Sequence, residues 1–139
     1  MQPLYDLNLQ QLDDKHVVGN WRVISRRVNP ADGNALADAD ALHLDPPPDR
    51  ALVVNVPAYA ALALAVPPGH TAPNATEQSR FGNWSLLRDP LLSRPYLKIL
   101  LPDGETLALI TRMRRSADGA ECEMILYFQT GTEIHLQCA

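Results

Sequence analysis

The stretch Tyr96-Leu97-Lys98-Ile99-Leu100-Leu101-Pro102-Asp103-Gly104-Glu105-Thr106-Leu107-Ala108-Leu109 decides the fold. Two β-prone runs are joined by Pro-Asp-Gly, where proline presets the first turn position and glycine takes the left-handed position of a bulge. Read as a three-residue hairpin loop, this sets Leu101 opposite Glu105. Leu97, Ile99 and Leu101 then share a face with Leu107, Leu109 and Met113. Downstream, Gln129-Thr130-Gly131 reads the same way. It sets Phe128 opposite Thr132, Leu126 opposite Ile134 and Met124 opposite Leu136, and Cys122 faces Cys138. The connection Ser116-Ala117-Asp118-Gly119 is short and turn-like, so the last four strands should form a continuous antiparallel meander.

Working outward, strand patterns fall at 17–27, 51–56, 59–66, 80–87, 96–101, 105–114, 121–128 and 132–138. No apolar period of 3.6 residues persists for three turns, so helix is a minor element. Residues 28–50 contain Pro30, Asp32-Gly33 and Pro46-Pro47-Pro48, too broken for a hairpin turn, and read as a long lid-like loop. Residues 1–16 read as an N-terminal arm. A chain of 139 residues with 46% hydrophobic and 20% charged residues fits a single domain spanning 1–139, able to bury its own core. The expectation is an all-β fold, an eight-stranded antiparallel up-and-down barrel with little helix.

Val18-Gly19-Asn20-Trp21-Arg22-Val23-Ile24 resembles the Gly-x-Trp opening of the lipocalin and wider calycin group, in which the tryptophan starts the first strand and plugs one end of the barrel. The order of parts resembles it too: a long first strand, a long loop after it, then short antiparallel strands to the C-terminus. As a motif the resemblance covers Gly19 and Trp21. Two features depart from it: no arginine follows the last strand, which ends Gln137-Cys138-Ala139, and the loop motif between the sixth and seventh strands is reduced to Ala117-Asp118. A remote, bacterial-type lipocalin-like domain is the form the resemblance takes. It implies that a small hydrophobic ligand is bound inside the barrel. Alternatives it leaves open are a cyclase or isomerase acting on a hydrophobic biosynthetic intermediate, and a barrel that inhibits a protease or lysozyme through an exposed loop or arm.

The registers make Trp21, Val23, Trp84, Leu97, Ile99, Leu107, Leu109, Met113, Met124 and Leu126 the candidate ligand-binding residues, with Ile134 and Leu136 on the same face. An eight-stranded barrel holds side chains or one small ligand, and this apolar, partly Met-lined set would favour an apolar one. Cys122 and Cys138 could form a cross-strand disulfide or remain two buried thiols. The histidines, at 16, 43, 70 and 135, lack the spacing that aims two imidazoles at one metal, so neither metal nor cofactor is expected. Asp38, Asp40, His43 and Asp45 read as a solvated loop, lacking the ligand order and glycine of a calcium site. Glu121, Glu123, Tyr127, Glu133, His135 and Gln137 alternate with apolar residues and should face outward. No Gly-rich phosphate loop, nucleophile elbow or paired-carboxylate motif is present, which leaves catalytic residues unassigned.

A net charge of −4 argues against a nucleic-acid partner, since Arg112, Arg114 and Arg115 form only a small basic cluster. No apolar run reaches the ~20 residues of a spanning helix, because Asn55 and Pro57 interrupt 51–66, so no integral membrane segment is expected. A homodimer could be a further partner. Residues 1–16 lack a basic start and an apolar stretch, so the expected compartment is the cytoplasm as the chain stands, or the periplasm if an export signal preceded Met1.

Overall fold

The computed structural model describes residues 3–29, 36–57 and 77–139. Its strands are β1 (Leu4–Asp6), β2 (Gly19–Arg27), β3 (Ala41–Leu44), β4 (Ala51–Pro57), β5 (Glu77–Arg88), β6 (Pro95–Leu101), β7 (Gly104–Ser116), β8 (Cys122–Phe128) and β9 (Glu133–Cys138). A 3-10 turn at Leu9–Gln11 and a single helical turn, α1 (Asp14–Val17), precede β2. Each strand from β2 to β8 pairs antiparallel with the next, and β9 returns to β2, so eight strands close into an up-and-down barrel. Closure leaves no free sheet edge in the ring. β1 adds to the end of β7, with Tyr5 opposite Arg115.

The hairpin between β8 and β9 has the register its turn residues specify: Leu126 opposite Ile134 and Met124 opposite Leu136, with Gly131 at φ +102°. At the far end of the same pair, Cys122 and Cys138 are joined in a disulfide with their Cα atoms 5.3 Å apart.

The hairpin between β6 and β7 departs from expectation. Leu101 lies opposite Gly104, not Glu105, so the loop is shorter and Leu97 faces Ala108 while Lys98 faces Leu107. Ala108 and Ile110 are buried in the core, and Leu107 is half-exposed on the outer wall beside Leu109. The reason is that both faces of this ribbon are apolar, so alternation alone does not select a register. A bulge between Ile110 and Arg112 then resets β7, and Met113 returns to the interior opposite Met124.

A second difference lies in residues 28–50, which supply a barrel strand. β3 pairs with β2 through Trp21–Leu42 and with β4 through Leu42–Val54. Leu42 and Leu44 alternate with His43 and turn inward, enough for a short strand. The expected strand at 59–66 lies outside the described residues.

Candidate functional site

The two ends of the barrel are built differently. At the end where β2 begins, the N-terminal segment folds underneath. Leu12 and Val17 are buried in the core, and Leu7, Leu9 and Val18 pack against it. The segment read as an N-terminal arm thus packs against the core through Leu7, Leu9 and Leu12. The segment's carbonyls are met by arginines from the strands above: Arg88 donates to Leu9 O at 3.2 Å and to Leu12 O, and Arg115 donates to His16 O at 3.4 Å. Arg50 forms an ion pair with Asp14 at 2.7 Å.

Within α1, the Asp13 amide donates to His16 Nδ1 at 2.9 Å. Loss of hydration holds the His16 imidazole below its ordinary pKa, with Arg115 and Lys15 adding to the effect and Asp13 opposing it.

Both tryptophans belong to this sealed end. Trp21 Nε1 donates to Val17 O at 2.9 Å, and Trp84 Nε1 donates to Asp45 O at 2.9 Å, so each buried indole N–H is satisfied by a neighbouring chain segment. The Arg50 guanidinium lies 5.9 Å from the Trp84 ring centroid. An arginine therefore packs on a plug tryptophan, but it comes from the connection between β3 and β4 and covers Trp84.

Of the ten residues proposed to line the interior, Trp21, Trp84, Leu97, Ile99, Met113, Met124 and Leu126 converge there fully buried, and Val23 is partly buried against them. Leu107 and Leu109 do not; they stand outside. The sequence reading missed Leu42, Leu44, Leu52, Val54, Ala108, Ile110 and Phe128, all buried. The alternation at 41–44 was the available signal for two of these. Around the middle of the barrel, Leu97, Ala108, Met124, Leu126 and Leu136 have no exposed surface, so this layer is a packed floor.

No family model, curated protein or solved structure matches this chain.

Among the described residues, the opposite end is less tightly packed. Here the inner-face residues Val56 and Thr106 are partly exposed, and Leu101 keeps a little exposed surface. Leu36, Ala37 and Ala39 from the connection between β2 and β3 are buried. They are tied down by Arg26, which donates to Ala37 O at 2.8 Å and pairs with Asp40 at 3.2 Å. Arg26 lies opposite buried Ile134 and Arg80 opposite buried Val54, so both arginines occupy inner-face positions at this rim. The interior below is apolar, and among the described residues its rim carries Arg80 and the Arg26–Asp40 pair.

The acidic loop cluster divides into separate pairs. Asp40 is engaged by Arg26, while His43 Nε2 meets Asp45 at 2.7 Å and its Nδ1 lies against Asn20 Oδ1. Asp38 is exposed. Among the described residues, no three His, Cys, Asp or Glu side chains stand close enough to share a metal ion. His135 points outward and pairs with Glu133 at 2.8 Å, on the same wall as Gln137 and Tyr127. No helix among the described residues is long and apolar enough to cross a membrane.

Proposed function

We propose that the barrel binds one small hydrophobic molecule in the mouth opposite the N-terminal seal, above the packed floor. The asymmetry of the two ends carries this reading. One end is fixed by three arginines and two satisfied indoles, whereas among the described residues the other offers partly exposed inner-face residues at Val56 and Thr106. Small-molecule sites are concave and mostly apolar, with a few polar groups that fix orientation. Arg80 would supply such a group, which favours an amphipathic ligand with an apolar body and an anionic head, while Arg26 is engaged by Asp40 and Ala37 O. Leu36, Ala37 and Ala39, held by Arg26, pack at this end and would act as part of its cover.

Because both tryptophans lie at the sealed end, thermal stability is a better reporter than indole fluorescence. A ligand at a hundredfold excess over its dissociation constant stabilises by about 2.7 kcal/mol, several degrees in melting temperature for a chain of this size. In a panel of fatty acids, retinoids, tetrapyrroles and polyketides, at least one carboxylate-bearing class should raise the melting temperature. Thr106→Phe, which fills the mouth, should remove the rise. A panel in which no compound shifts the transition overturns the reading.

A further inference from the structure

The outer wall of the barrel is not uniform. On β9, β2 and β3 it presents Glu133, His135, Gln137, Asn20, Arg22 and His43, as expected of a surface facing water. On β5 to β8 an apolar band crosses it. Leu87, Tyr96, Leu109 and Tyr127 are direct cross-strand neighbours over four adjacent strands, with Leu87 opposite Tyr96, Tyr96 opposite Leu109, and Leu109 opposite Tyr127. Leu100, Leu107 and Phe81 extend this band along the wall. Their exposures are 43%, 44% and 66%, with 40% for Tyr127, so the band is partly exposed and Phe81 mostly so. A recess of about 340 Å³ opens between Tyr96, Leu107 and Leu109, bounded by Asp89, Pro90 and Gln129.

Summed from these fractional exposures, the exposed area of the band is roughly 500 Å², within the ~300–600 Å² of the largest patch on a typical monomer, a patch that is often functional. The leucines lie there because the register of the β6–β7 hairpin turns them outward.

We propose that this wall joins two copies of the chain about a two-fold axis. The first support is charge. At the middle of the band a cation and an anion, Lys98 and Glu105, lie 3.6 Å apart, with Asp89 and Glu133 at its margins. A two-fold interface brings the same patch against itself, so a band carrying one sign would repel its copy. A patch with one charge of each sign is complementary to itself, and an axis passing between Lys98 and Glu105 sets each opposite its counterpart. The second support is area. A stable pair buries about 800 Å² per partner, of which about 65% is apolar in homodimers, or roughly 500 Å². Since the barrel ring has no open edge, association through this wall is by side-chain packing between faces, not by strand addition.

The test is light scattering of the full chain during gel filtration, from 1 to 100 µM. The expected mass is twice that of the chain. Leu107→Glu combined with Tyr127→Glu should give a monomer, while Gln137→Glu on the polar wall should leave the dimer intact. Lys98→Glu or Glu105→Lys alone should weaken the dimer about tenfold, and the two together should restore it, because the exchanged pair is again self-complementary. This restoration separates an interface effect from misfolding. A wild-type chain that stays monomeric at 100 µM overturns the proposal, as does a dimer that survives the Leu107 and Tyr127 substitutions. A monomer that co-sediments with phosphatidylglycerol vesicles through this wall would assign it to a membrane and equally overturn it.

Discussion

At Gly82 a methyl group would lie 1.9 Å from the carbonyl oxygen of Leu100 and 3.1 Å from the Leu101 side chain. β6 approaches β5 so closely there that only a residue without Cβ fits. Gly19 begins the same Gly-Asn-Trp tripeptide at 19–21, yet it has open space around it and is needed for its φ of +130°. The two tryptophans that follow do similar work, each satisfying its indole N–H at the sealed end. Gly82→Ala must therefore push two backbone segments apart. It should destabilise the chain by about 2–3 kcal/mol, the upper range for overpacking a closed structure, read as a lowered urea midpoint with unchanged slope. A cost below about 0.5 kcal/mol would mean that β6 yields freely at this point.

Among the elements, the N-terminal segment with α1 carries a pH dependence that can be isolated. The folded state lowers the His16 pKa, mainly through lost hydration, with Arg115 and Lys15 adding to the effect and Asp13 opposing it. The unfolded chain then binds the proton more readily than the folded one. The contribution of His16 to stability is full above the ordinary imidazole pKa of ~6.5 and is lost as pH falls through the lowered folded value. His16→Gln keeps an acceptor but removes the titration, so the melting temperature of the wild type should fall more steeply than that of the variant between pH 7 and 5. Parallel curves would show that His16 does not couple the seal to pH.

The same scale shows what the residues specify unaided. The β8–β9 hairpin was legible because one face is polar, Glu133, His135 and Gln137, so slipping the register would bury charge. The β6–β7 hairpin was not, because Leu107 and Leu109 satisfy an inward pattern as well as Ala108 and Ile110 do, and the shorter turn decided between them. β3 was hidden by its length of four residues inside a Pro-rich connection. The mouth was legible only in part, since Arg26 reaches an inner-face position through a bulge between Val23 and Ser25 that no local residue announces.

For the molecule as a whole, closure rests on the β2–β9 seam, which joins residues 21–27 to residues 133–138 across nearly the full length of the chain. Every other barrel seam pairs strands adjacent in sequence, so this seam closes the largest loop and costs the most chain entropy. Two features offset that cost: Trp21 on β2 is held to the seal through Val17, and β9 is bonded to β8 by the disulfide. Opening the seam alone would leave two unpaired edges and expose Trp21, Ile134 and Leu136 to water, so the seam should not open separately from the rest. Native-state hydrogen exchange tests this. Amides in the β2–β9 ladder should exchange with the same free energy and denaturant dependence as those at the centre of β7 and β8. Were the seam amides to exchange at a much lower free energy, with a smaller denaturant slope, the barrel would be an open sheet that closes only transiently, and a mouth held at one end could not keep a ligand.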